Sequence, residues 1–155
     1  MNDSAFPDHP CPARRRWMAV LARADVQRVR ALLADCEPLP PYTVLRGPEA
    51  GLVMVRGRAG GGGAAFNLGE MTVTRSTVRT ETGFVGHAYV TGRDDQRAVF
   101  AALGDALMQD PDRAEKVEAC VIIVLEREQN ERRHERAAKA AATRVQFFAM
   151  QTMRT

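Results

Sequence analysis

The apolar positions of the first part of the chain recur at helical spacing. A first short helix is predicted over 14–24, where apolar residues lie three or four positions apart: Trp17, Val20, Leu21 and Ala24. Asp25 is a typical N-cap residue, and a second short helix is predicted after it, with Val26, Val29, Leu32 and Leu33 on one face. The prolines of CEPLPPY (36–42) end this helical region, because proline lacks the amide donor and disfavours helical geometry in the residue before it.

Alternating apolar and polar positions follow, and they predict strands joined as two hairpins. YTVLR (42–46) and LVMVRGR (52–58) flank the turn-forming residues GPEAG, which indicates a first hairpin. EMTVTRSTVRT (70–80) and FVGHAYVTG (84–92) flank the three-residue turn ETG, which indicates a second. The pattern therefore predicts four antiparallel strands up to this point.

A central helix is expected after the second hairpin. Asp94 or Asp95 can cap its N-terminus, and the helix should end near Asp110 because a proline follows. The run CVIIVL (120–125) fits either a buried strand or an apolar linker, since periodicity does not separate the two.

The C-terminal part of the chain is predicted to hold a long helix and one more strand. EREQNERRHERAAKAAA (126–142) has few large apolar side chains, so this helix should rest on its alanines or on another subunit. TRVQFFAM (143–150) alternates like a strand. We therefore predict a single α+β domain over 14–155, with an antiparallel sheet of four to six strands, after a disordered, proline-rich tail over 1–13.

Composition agrees with one globular domain. The 155 residues are 45% hydrophobic and 26% charged, and the longest apolar run, ACVIIVL, is too short to cross a membrane. The N-terminus lacks the apolar stretch of a secretory signal, and the three cysteines are few and dispersed, as in reduced proteins. These features favour a cytoplasmic protein.

The mild net charge of +3 would favour an anionic partner without requiring nucleic acid. Gly60–Gly63 do not form a Walker-type loop, because neither a Lys-Ser/Thr pair nor a helix start follows them. Arg75 and Arg79 are evenly spaced, so both should project from one strand face, where they could grip an oxyanion or belong to an ordinary solvated surface. Arg93 lies where a strand passes into a helix and is a further candidate.

Metal binding and nucleophilic catalysis have little support in the sequence. His9 and Cys11 form an isolated pair, His87 and His134 have no partner at metal-ligand spacing, and no Ser or Cys lies in a nucleophile elbow. We therefore expect no self-contained active site, no metal and no cofactor bound by this chain alone.

Three segments taken together resemble the PhnG family, the G subunit of the bacterial carbon–phosphorus lyase system. They are RAGGGGAAFNLGEMTVTRSTVR (58–79), GHAYVTGRDDQRAVFAALGDALMQ (86–109) and AATRVQFFAM (141–150). The resemblance runs from about Arg16 to Gln151. It departs from the family at Ala149, where Thr is usual, and over 111–126, which match poorly.

The resemblance implies a subunit of a core complex with the H, I and J subunits, joined by the ATP-binding-cassette-like K and L proteins. Subunits G, H, I and L are implied to join a phosphonate to C1 of the ribose of ATP, with release of adenine. The product would be α-D-ribose 1-methylphosphonate 5-triphosphate. ATP is thus a substrate of the complex, while the iron–sulfur cluster and S-adenosylmethionine belong to the J subunit.

Within such a complex the chain would act mainly as a structural subunit, and two residue sets are candidates for contacts. Phosphate groups would be met by Arg56, Arg58, Arg75, Arg79 and Arg93. A neighbouring subunit would be met by Gly60, Gly61, Gly62, Gly63, Phe147 and Phe148. Alone, the chain should then aggregate or form a homo-oligomer. The alternative hypothesis is a free-standing anion-binding or nucleic-acid-binding module.

Overall fold

In the described part of the chain, two helices precede three strands and further helices follow them. The computed structural model describes residues 11–36, 38–58 and 63–143. Their elements are α1 (Pro12–Arg23), α2 (Val26–Cys36), β1 (Tyr42–Gly57), β2 (Phe66–Thr80), β3 (Val85–Thr91), α3 (Asp95–Gln109), α4 (Pro111–Val117), a π-helical turn (Glu118–Ile122) and α5 (Ile123–Ala142). The predicted α+β class is confirmed.

Local capping signals place the two N-terminal helices. Helix α1 begins at Pro12, two residues before its predicted start, because proline is well suited to the first turn of a helix. Asp25 caps α2, since its Oδ1 accepts hydrogen bonds from the backbone N–H groups of Gln27 and Arg28 at 3.0 and 3.2 Å. Both predicted helices are therefore confirmed.

The sheet has three antiparallel strands in the order β1-β2-β3, not the predicted four to six, among the residues that the structure describes. The first predicted hairpin is wrong, because GPEAG lies inside one continuous strand, β1. Register shifts at Arg46 and Glu49 absorb the irregular segment, and Pro48 is tolerated because β1 is an edge strand. The real partner of β1 is β2, and the strand predicted over 143–150 lies outside the described residues beyond Thr143.

The C-terminal helices correct a second prediction. Helix α3 is capped by Asp94, whose side chain accepts from the backbone N–H of Arg97 at 2.9 Å, and it ends at Gln109 before Asp110, as predicted. CVIIVL (120–125), however, is helical: it spans the π-helical turn and the start of α5. A short apolar run is compatible with both helix and strand, and its burial here against other helices decides for the helix.

Helix α3 lies at the centre of the molecule. It packs on β2 and β3 with one side and on α1 and α2 with the other. Gly86 makes the close approach of α3 and β3 possible, because a Cβ at this position would lie 2.0 Å from the carbonyl oxygen of Ala102 and 2.5 Å from the backbone nitrogen of Ala106. In the described part of the chain, no helix combines the length and apolar character needed to cross a bilayer.

Candidate functional site

One face of the sheet carries two of the five candidate arginines, Arg75 and Arg79. Along β2 the side chains of residues 74, 76, 78 and 80 are buried against the helices, and the alternating positions 75, 77 and 79 point to the other face of the sheet. Arg75 and Arg79 share this open face, as predicted. Four residues along a strand separate them by about 13 Å. They therefore cannot bind one small anion together.

Arg75 belongs to an ion-pair cluster within the sheet. Its Nε lies 2.9 Å from Oε1 of Glu49, the residue opposite it on β1, and Nε of Arg46 lies 3.1 Å from the same oxygen. The hydrogen bond to Glu49 raises the pKa of Arg75 above its ordinary value, with a further contribution from Tyr89 on β3. A raised pKa favours the charged guanidinium, and this effect is lost only as the pH rises through that pKa, far above neutrality. Arg75 is thus engaged by the chain itself.

Arg79 is placed differently at the other end of the open face. It pairs in register with Thr43 on one side and Val85 on the other, and it is exposed. It lines a surface cavity of about 550 Å³ together with Tyr42, Thr43 and Glu81. Within the described part of the chain its side chain makes no hydrogen bond or ion pair. Arg79 therefore has an uncommitted guanidinium.

The remaining candidate arginines lie far from this position. Arg56 is near the distal end of β1, where its Nη2 donates to the carbonyl oxygen of Ala65 at 3.3 Å, and Arg58 follows the strand. From Glu49, opposite Arg75, to Arg56 is seven residues, or about 23 Å. Arg93 is exposed in the turn between β3 and α3. The structure thus disperses the five arginines instead of gathering them in one pocket.

The predicted interface residues fall mostly outside the part that can be described. Gly63 is exposed at the end of the glycine run, whereas Gly60, Gly61, Gly62, Phe147 and Phe148 lie outside the described residues. The flanking strands are informative instead. Because β3 pairs only with residues 73–79 of β2, residues 52–57 and 66–72 form a two-stranded extension about 20 Å long, here named the hairpin arm.

The hairpin arm carries apolar side chains that are exposed in the described part of the chain. Its exposed apolar residues are Leu52 at 64%, Met54 at 54%, Phe66 at 48%, Leu68 at 56% and Met71 at 39%. A ribbon of two strands is marginally stable in water when it is isolated. Leu52 and Met54 lie on one face of the arm and Met71, opposite Val53, on the other, so both faces expose apolar surface of the kind that marks interaction sites. The arm is therefore the strongest candidate for an interface with another molecule.

A buried carboxylate that sequence analysis missed lies on the opposite side of the sheet. Asp105 of α3 is fully buried, and it accepts hydrogen bonds from Nε and Nη2 of Arg14 at 3.1 and 2.8 Å and from Nε1 of Trp17 at 2.9 Å. It also accepts from the backbone N–H of His87, on the free edge of β3, at 2.9 Å. Because its two oxygens accept hydrogen bonds from α1 and β3, Asp105 has a structural role: it ties α1, α3 and β3 together.

The described residues also bear on metal binding and on the role of histidine. In the ranges 11–36, 38–58 and 63–143, no group of three or more His, Cys, Asp or Glu side chains is placed to hold a metal ion. His87 is exposed, and its Nδ1 lies 3.1 Å from Oγ1 of Thr77. The described residues thus offer exposed surfaces for interaction.

The sequence is similar to proteins of phosphonate metabolism. Residues 12–153 match the family model described as phosphonate metabolism protein PhnG. The chain is 47% identical over 137 residues to α-D-ribose 1-methylphosphonate 5-triphosphate synthase subunit PhnG of Rhizobium meliloti (strain 1021), and the match covers 88% of this chain and 87% of that protein. The chain therefore belongs to the PhnG family of phosphonate metabolism proteins.

Proposed function

We propose that this chain is a subunit of an α-D-ribose 1-methylphosphonate 5-triphosphate synthase in the carbon–phosphorus lyase system. The observation that carries the proposal is the 47% identity to a named subunit of such a synthase across 88% of the chain. The geometry supports it, because the hairpin arm exposes apolar side chains that suit a permanent partner.

The proposed reaction belongs to the assembled complex. Together with the H, I and L subunits, the chain would support the transfer of a phosphonate to C1 of the ribose of ATP, and adenine would leave. The J and K subunits complete the set of proposed partners. The iron–sulfur cluster and S-adenosylmethionine would be bound by J, and this chain would bind neither. The proposed location is the cytoplasm.

We assign the chain a mainly structural part in that reaction. Its described residues present one apolar arm and an open sheet face, and Asp105, the fully buried carboxylate, is saturated with donors. A free-standing anion-binding module is less well supported, because the five candidate arginines are dispersed and Arg75 is paired with Glu49. The interface role follows from what the arm exposes.

Co-purification with the partner subunits tests the role of the hairpin arm. The double variant Leu52→Lys/Met54→Lys places two charges on one exposed face of the arm, where they would have to be desolvated in an interface. We expect at least a tenfold lower yield of complex with the H, I and J subunits, measured by size exclusion after co-expression.

Ile123→Lys, set against the single variant Leu52→Lys, is the control for this experiment. Ile123 is 51% exposed but lies on α5, away from the arm, so its complex yield should equal that of the wild type. An arm variant that assembles as well as the wild type would rule out the arm as the interface.

Arg79 is the proposed phosphate contact on the open face. Its guanidinium is uncommitted, so Arg79→Ala would remove a charge-assisted hydrogen bond to substrate worth roughly 1.5–3 kcal/mol, which corresponds to about tenfold or more in rate. Adenine release per mole of assembled complex should fall accordingly, with complex yield unchanged. Arg75→Ala should have a smaller effect because its Nε is engaged by Glu49. Normal activity of the Arg79→Ala complex would leave this face as an ordinary solvated surface.

A further inference from the structure

One face of helix α5 is apolar and buried at its start and becomes basic and exposed where the helix projects from the core. Ile122 and Leu125 are buried in the core, and Gln129 anchors the next turn by donating from Nε2 to the carbonyl oxygen of Val20 at 2.8 Å. Every residue from 130 to 143 is exposed, so the helix extends about 20 Å beyond this anchor. The positions that continue the buried face, at helical spacing, are Arg132, Arg133 and Arg136.

These arginines surround a cavity together with the end of α1. Arg23, the last residue of α1, joins them, and the cavity has a volume of about 210 Å³ and is lined otherwise by Gln129. No carboxylate lines it among the described residues. In the described part of the chain Arg132 forms an ion pair with Glu128 at 3.8 Å, while the other three guanidinium groups have no ion-pair partner. Four like charges around one cavity create a strongly positive surface.

Three of the four acidic residues of α5, namely Glu126, Glu128 and Glu131, have ion-pair partners within the chain, and Glu128 also lies beside Arg132. Glu128 binds Arg28 of α2 at 2.7 Å, and this hydrogen bond raises the pKa of Arg28 above its ordinary value. Glu131 lies 4.0 Å from Arg127 of the same helix. Among the described residues of α5, a second copy of this chain could thus offer the four arginines one glutamate without an ion-pair partner, Glu135.

We propose that Arg23, Arg132, Arg133 and Arg136, here named the arginine stripe, form a docking surface for an acidic segment of a partner polypeptide. The inference rests on the proposed function only in that the partner is another chain of the assembly. Charge complementarity determines the chemistry of the segment. All four arginines are exposed, and the three on α5 continue its core-facing side. This arrangement suits an extended polypeptide ligand better than a small anion held in an enclosed site. Ala137, Ala140 and Ala141 in the next turn leave room for close approach.

A binding assay with a defined probe tests the stripe without any partner subunit. The probe is a short, fluorescently labelled poly-L-glutamate peptide, and its dissociation constant is measured by anisotropy. Arg133→Gln/Arg136→Gln should raise that constant about tenfold or more, because each substitution removes a charge-assisted contact. Arg15→Gln/Arg30→Gln removes the same charge from exposed positions off the stripe and should raise it less than twofold.

Three results of this assay would overturn the proposal. An equal loss of affinity for the peptide in the two double variants would show that binding depends on net charge alone. Binding of inorganic tripolyphosphate at the stripe, without binding of poly-L-glutamate, would assign the site to a phosphate ligand. Self-association that is abolished by the stripe variant and retained by Leu52→Lys/Met54→Lys would assign it to a second copy of this chain.

The assembled complex separates this inference from the proposed function. After co-expression with the H, I and J subunits, the stripe variant should dissociate from the complex at lower salt than the wild type and the Arg15→Gln/Arg30→Gln control. Co-purification of the stripe variant that equals the wild type at every salt concentration would contradict the stripe alone. Failure of the wild type to co-purify would contradict the proposed function, and the peptide assay would still decide on the stripe.

Discussion

Asp105 shows how one buried side chain can fix the arrangement of several elements. Its carboxylate lies on α3 and receives hydrogen bonds from two side chains of α1 and from the backbone edge of β3. An unpaired N–H on a sheet edge is normally satisfied by water or by another strand, and here the carboxylate takes that place at His87. Asp105 thus satisfies one backbone N–H on the free edge of the sheet while it holds the N-terminal helix.

Replacing Asp105 should therefore cost more than an ordinary surface change. In Asp105→Asn the amide NH₂ would face donors, and Arg14 would lose its bidentate partner. We expect a loss of about 3 kcal/mol in the free energy of unfolding, measured by urea denaturation. Asp35→Asn is the control, because Asp35 is exposed near the end of α2 and should change stability by less than about 0.5 kcal/mol. A similar midpoint for both variants would argue against a structural role for Asp105.

At the scale of elements, the segment from α4 to α5 depends on a π-helical turn. Val121 and Ile122 are adjacent in sequence, and both are fully buried, whereas Ile123 is 51% exposed. These side chains connect α4 and α5 to the core formed by α2 and α3. The turn therefore anchors the long helix from which the arginine stripe projects.

The two neighbouring isoleucines allow a matched test of this anchor. Ile122→Ala should lower the free energy of unfolding by roughly 2–5 kcal/mol, because it opens a cavity in a fully buried site. Ile123→Ala removes the same atoms from a half-exposed position and should cost less than about 1 kcal/mol. Thermal or urea unfolding measures both, and equal costs would contradict the helical placement of this segment.

Elements with strong local signals could be predicted from the sequence, and those that depend on long-range pairing could not. Asp25 and Asp94 mark helix starts through their own backbone contacts, so α2 and α3 were predicted correctly. GPEAG has turn-forming residues, yet pairing with β2 keeps it extended within β1. CVIIVL has no period that separates helix from strand, and only packing against other helices settles its conformation.

The candidate site was predictable to the same extent. The period of two along β2 correctly places Arg75 and Arg79 on one face. The pairing of Arg75 with Glu49 could not be foreseen, because it depends on the register between β1 and β2, which the predicted hairpin excluded. The arginine stripe combines residues that are more than a hundred positions apart in sequence, namely Arg23 and the last turns of α5. Their proximity is a property of the tertiary fold alone.

At the scale of the whole molecule, a small core supports two projecting surfaces of opposite character. The hairpin arm is apolar and the exposed half of α5 is basic, and neither contributes much to the core itself. Exposed apolar and basic surfaces of this kind are expected in a subunit that buries them against its partners. The central claim is therefore that this chain contributes to the synthase by docking, with the chemistry belonging to the assembly.

Adenine release in a reconstituted mixture tests this claim most directly. ATP and methylphosphonate are incubated with the H, I and L subunits, with and without this chain, and free adenine is quantified by chromatography. We predict release only when the wild-type chain is present with the other subunits, and a strong loss of release with Leu52→Lys/Met54→Lys. Adenine release by this chain alone after stringent purification, or full release by the mixture that lacks it, would contradict the account.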